Sequence, residues 1–192
     1  MEIAVQPTSS FNQPIRSLAA EKLRFTAQIL RFLSAGYALW SLWRILDWWL
    51  DAERVAREMG RYFQRDLSGM ASWQPLAALG LDLLAWSFLL AAVAYCWLFL
   101  GHLRSSPGFT GQGARQLMRC AWLATACEAA ALLFRPLQSW LLTAHLSVAE
   151  RLYQWQFRPA DLQAIILCGA LLMFALVYLW ALEIAEENKG FV

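Results

Sequence analysis

The sequence predicts an all-α, polytopic membrane protein: four transmembrane helices in an antiparallel bundle with both termini cytoplasmic. Three observations carry this expectation. Of 192 residues, 59% are hydrophobic and 16% charged, against about a quarter charged in a soluble domain. The mean hydropathy is +0.41. The apolar residues fall in four blocks long enough to cross a bilayer, whose core of about 30 Å takes ~20 residues of helix.

The blocks lie at about 27–50, 73–100, 117–142 and 162–184. Each is rich in Leu, Ala, Phe and Trp and lacks strand-like alternation. Inside lipid each segment must satisfy its own backbone hydrogen bonds, so these blocks read as helices. Residues 1–24 are polar, with Pro7, Pro14, Ser9 and Ser10. They read as a mobile tail, not a cleavable signal. Residues 25–192 form the four-span membrane domain.

Orientation rests on the short connections. The 101–116 loop holds Arg104 and Arg115, with Arg119 just beyond, and no acidic residue. By the positive-inside rule this loop and both termini are expected on the cytoplasmic side. Trp48, Trp49, Trp73, Trp140 and Trp155 then fall near one interface. Trp97, Trp122 and Trp180 fall near the other, as in an aromatic belt. Trp40, Trp43 and Trp86 lie deeper and read as packing residues.

Between the first two spans, Ala52, Val55, Ala56, Met59, Tyr62 and Phe63 recur at helical spacing. Arginines and acids occupy the other side. An interfacial amphipathic helix is expected over about 51–66, with Arg57 and Arg61 on its wet face.

Charges within the spans are costly, roughly 2.5–3.5 kcal/mol each at a helix centre, and need partners. At 1.5 Å per residue, Asp82 lies about 12 Å in from the outer end of its span, Arg44 about 9 Å and Arg135 about 10 Å. Asp47 is shallower. Glu128 is near mid-span and shares a face with Arg135 seven residues on. Arg44, Asp47, Asp82, Glu128 and Arg135 are thus expected to form one intramembrane polar cluster. It would either fix the bundle's register or line an ion path through Glu128 and Asp82. Pro136, next to Arg135, is positioned to kink the third span.

Other chemistry is sparse. Cys96, Cys120, Cys127 and Cys168 all lie in spans and form no C-x-x-C pair, so they read as small apolar residues. His102 and His145 lie at opposite membrane faces, an arrangement unsuited to haem. No phosphate-binding loop, zinc motif or nucleophile elbow appears. Catalytic residues, metal sites and cofactors are expected to be absent. A net charge of +2 gives no nucleic-acid footprint.

Two segments carry a family resemblance. One is Ser106-Pro107-Gly108-Phe109-Thr110, followed by Arg115, Leu117 and Arg119. The other is the C-terminal run from Leu182 through Glu186 and Glu187 to Val192. Together they resemble the uncharacterised bacterial membrane family called domain of unknown function 2975. Gly111 and Gly113 stand where that family favours polar residues, and Gly190-Phe191 replaces a more polar ending. The resemblance implies a four-helix bacterial inner-membrane protein, with members often encoded near a small helix-turn-helix regulator. It assigns no catalytic residue.

Both motifs would lie at the cytoplasmic face. Pro107 and Gly108 suit a turn and Phe109 suits the interface. Arg115 and Arg119, one turn apart, are expected to meet either lipid headgroups or the carboxylates of Glu186 and Glu187. The functional expectation is a non-catalytic inner-membrane protein that binds a partner, relaying a signal to a cytosolic regulator. Two alternatives stand beside it: an immunity protein that recognises a toxin in the bilayer, and a small homo-oligomeric ion or solute conductor.

Overall fold

A computed structural model of the chain describes residues 13–105 and 110–189. Every regular element among the described residues is a helix: α1 (Gln13–Trp49), α2 (Ala52–Phe63), α3 (Trp73–Ser105), α4 (Gly111–Leu142) and α5 (Pro159–Lys189). Three helices are long and apolar enough to cross a membrane: α3, α4 and α5. Helix α1 is longer than any of them, with 37 residues. It is less apolar because Gln28, Arg31, Ser34 and Arg44 interrupt its hydrophobic run.

The helices outrun the apolar blocks that predicted them. α1 begins at Gln13, well before residue 27, so 13–24 is helix where the sequence suggested a mobile tail. Ala, Leu, Lys, Arg and Glu dominate 16–24. All are strong helix formers, and helix continues where hydrophobicity ends. Residues 1–12 lie outside the described residues.

α2 matches its amphipathic pattern. Asp51 caps it by accepting from the Arg54 amide at 2.9 Å. Val55 and Phe63 are buried. Arg57 and Arg61 face water and pair with Glu53 and Glu58 along the helix. Gln64 ends it in the left-handed conformation, φ 52°, while the Arg65 amide bonds back to Gly60. A turn follows in which the Ser68 amide and hydroxyl hold the Asp66 carboxyl below its ordinary pKa.

Packing runs in series: α1 against α3, α3 against α4, and α4 against α5. Two buried clusters sit at opposite ends. Near the start of α4, Ala27, Phe99, Leu100, Ala114, Leu117, Ala121, Ala175, Tyr178 and Leu182 draw all four long helices together. There Thr110 caps α4 by accepting from the Gly113 amide at 3.2 Å. Its own amide meets the Tyr178 hydroxyl at 3.4 Å; the capping hydroxyl accounts for the threonine at this position. At the other end, Trp49, Val55, Phe63, Leu67, Ala78, Leu79 and Leu142 join α1 through α4 and leave α5 out.

The α1–α3 seam is fastened by indole N–H groups. Trp97 donates to the Arg31 carbonyl at 3.0 Å and to Ser34 Oγ at 3.1 Å. Trp86 donates to the Ala38 carbonyl at 3.0 Å. Trp49 donates to the Asp82 carboxylate at 2.6 Å. The partners ascend in α1 (31, 38, 49) as they descend in α3 (97, 86, 82), so the two helices are antiparallel. From Arg31 to Trp49 the seam spans about 27 Å. Trp49, Trp86 and Trp97 are therefore interhelical donors. Of the tryptophans expected at the interfaces, Trp73, Trp122, Trp140, Trp155 and Trp180 are exposed on the outside of the helices.

Candidate functional site

A cavity of about 510 Å³ opens at the α2 end. Trp48 and Trp49 of α1 form one wall, and Met59, Tyr62 and Phe63 of α2 form the roof. Asp82, Arg135 and Gln138 place polar groups in the floor beside Ala131. Gln156 and Arg158, from the segment before α5, complete the rim.

Each floor residue is positioned by a neighbouring helix. Asp82, about two and a half turns inside α3, accepts from Trp49 of α1 and from Gln138 Nε2 of α4, both at 2.6 Å. A carboxylate removed from water needs such donors. Among the described residues no cation lies within ion-pair distance of it. One side chain thus ties three helices together.

Arg135 grips the start of α5. Its guanidinium donates to both Asp161 carboxylate oxygens, at 2.5 and 2.6 Å. It also donates to the Gln156 carbonyl at 2.8 Å. This two-pronged geometry is the one that best favours an arginine–carboxylate pair. Asp161 also accepts from the Arg158 amide at 2.6 Å. Three residues into the helix that Pro159 opens, it thereby closes the cap from inside. Ser139 and Thr143 strap the same segment to α4 by accepting from the Gln154 and Leu152 amides. α4 runs unbroken through Pro136.

The five residues expected in one cluster are therefore divided. Asp82 and Arg135 line the cavity, but neutral donors hold Asp82, and Arg135 takes Asp161. Asp47 pairs with Arg54 of α2 at 3.3 Å. Arg44 is exposed on α1, about 8 Å from its end, within reach of the interface for a side chain that long. Glu128 is half-buried near the middle of α4 and has no hydrogen-bond or ion-pair partner among the described residues. The single cluster fails because α1 turns Arg44 and Asp47 away from the floor, and Asp161 intercepts Arg135. The Asp161 partner had a legible signal: proline opening a helix, with an acid in its first turn.

At the opposite end, the expected contact of Arg115 and Arg119 with Glu186 and Glu187 does not form. Among the described residues no ion pair joins them. Arg119 lies over the Tyr95 ring instead, 5.5 Å from its centroid. It faces α3, while the glutamates stand exposed on α5. Pro107, Gly108 and Phe109 lie outside the described residues. The four cysteines are free thiols. Cys96 and Cys120 are neighbours across the α3–α4 seam, a pairing their spacing did not suggest. Among the described residues no group of His, Cys, Asp and Glu is arranged to hold a metal ion.

No family model, no curated protein and no solved structure matches the chain.

Proposed function

We propose that this chain is a four-span protein of the bacterial inner membrane, both termini cytoplasmic, that binds a partner without catalysis and relays its presence. Kinship with the family of domain of unknown function 2975 belongs to the same reading. α1 serves as the fourth span. Two features support this: its antiparallel seam with α3 over about 27 Å, and the outward, apolar Phe25, Phe32, Leu33 and Leu39. Arg31, the charge between Phe25 and Leu39, stacks on Trp97 at 4.9 Å.

The observation that carries the binding role is the cavity beneath α2. Large apolar side chains with a few placed polar groups are the usual makeup of a binding site. The lining comes from α1 through α4 and the strap to α5, so an occupant would touch every helix at once or through one neighbour. That arrangement suits a relay, in which an occupant must bind two arrangements unequally.

The test is affinity purification of the full chain from native membranes in mild detergent, beside an Ala131→Phe variant that fills the cavity. A stoichiometric partner lost in the variant supports the reading. A DNA-binding partner specifies signalling and a secreted toxin specifies immunity. A homo-oligomer with no partner, unchanged by Ala131→Phe, refutes it and favours conduction. The observation behind that second reading is Glu128, a mid-span carboxylate without a hydrogen-bond partner among the described residues. Conduction requires a proton leak in vesicles that Glu128→Gln abolishes.

A further inference from the structure

A second groove, of about 760 Å³, lies at the far end of the molecule from the cavity, between the beginning of α1 and the end of α3. Its lining includes Arg24, Gln28 and Arg104, with Glu21 as the acid and Phe25 at the lip. Arg31 adjoins it: its guanidinium lies against Gly101, where an added Cβ would sit 3.7 Å from an Arg31 nitrogen. Among the described residues none of these three arginines has an ion-pair partner. Arg104 donates to Gln28 Oε1 at 3.3 Å. Arg31 has its Nε buried with no hydrogen-bond partner.

We infer that this groove binds the phosphate of an anionic phospholipid headgroup. Three guanidinium groups against one carboxylate give a local surplus of positive charge. A buried, unsatisfied cationic N–H is expensive and calls for an anionic acceptor nearby. Arginine is the side chain best shaped for phosphate. Below the groove, Phe25, Ile29, Phe32 and Leu33 stand outward on α1, an apolar track for the acyl chains of a lipid so anchored. A soluble anion would have no use for that track. The inference rests on reading α1 as a span.

The experiment reconstitutes the full chain in nanodiscs of phosphatidylcholine alone or mixed with phosphatidylglycerol. Native mass spectrometry then counts retained lipid. The expected result is selective retention of phosphatidylglycerol. The Arg24→Gln/Arg104→Gln variant should lose that selectivity about thirtyfold, from ~1 kcal/mol per basic residue at an anionic surface. Equal retention of both lipids by the wild-type chain would overturn the inference. So would inorganic phosphate stabilising the protein in pure phosphatidylcholine as strongly as phosphatidylglycerol does. Maleimide labelling of a Phe32→Cys variant separates the two failures. Loss of selectivity alone leaves that position protected, whereas an α1 outside the bilayer is labelled from water.

Discussion

The α1–α3 and α4–α5 seams solve one problem by different means. α1 and α3 are joined at three depths by neutral indole donors. α5 is held to the cavity end of α4 by one charged pair, Arg135 with Asp161. In lipid no hydrophobic force drives helices together, so packing and polar contacts decide association. A neutral donor costs little to insert, and each contributes modestly. A charged pair is stronger but concentrates the attachment in one place, where losing one member strands the other.

Removing a charge should do the most damage. Arg135→Ala leaves Asp161 without its cation although only 6% of that residue is exposed. Breaking a buried pair costs about 3–5 kcal/mol. Unfolding in mixed micelles should show a loss of that size, with α5 amides exchanging first. An Arg135→Asp/Asp161→Arg exchange should recover part of it. A loss no larger than a surface pair's, about 0–1 kcal/mol, would mean that packing alone holds α5.

The α1–α3 seam should fail by degrees. Replacing Trp49, Trp86 or Trp97 by benzothienylalanine keeps the ring and deletes the N–H. Trp86 and Trp97 donate mainly to backbone carbonyls, and each deletion should cost about 0.6 kcal/mol, the mean for such bonds in a membrane. Trp49 donates to a carboxylate and should cost about 1.5–3 kcal/mol. Equal effects at all three would show that Asp82 carries no special weight.

An effect no larger than those of Trp86 and Trp97 is a gain. Gln64 adopts φ 52° at the end of α2, a conformation that disfavours any residue with a Cβ. Gln64→Gly should stabilise the molecule by about 0.5 kcal/mol, the relief of the left-handed backbone less the extra entropy glycine loses on folding. Hydrogen exchange in α2 should slow, while the α1–α3 seam stays unchanged.

Much of this was readable in the residues, because periodicity and length are local. The span cores of α3, α4 and α5 follow from runs of apolar residues, and α2 from Val55, Met59 and Phe63 at helical spacing. Helix ends were less legible, since polar residues such as Lys22 and Arg24 extend a helix beyond its apolar run without marking a boundary. Pairing was least legible. Depth placed Arg44, Asp82 and Arg135 at a similar level, but depth says nothing about azimuth. Which way Arg44 turns depends on which face of α1 meets α3. The indole directions of Trp49, Trp86 and Trp97 are set by the same contact.

One consequence follows from the unbroken length of α1. Its Ala27 is clamped in the cluster where all four long helices meet, while its last residue, Trp49, borders the cavity. Where its indole fastenings to α3 give way, a stiff rod held at Ala27 acts as a lever. Its cavity arm measures about 33 Å and the arm running back to Gln13 about 21 Å. A 3 Å swing of Trp49, on the order of what an occupant would need, moves Gln13 roughly 2 Å the opposite way. A rod without a hinge passes such a stroke from the cavity to its far end with a ratio of about two thirds.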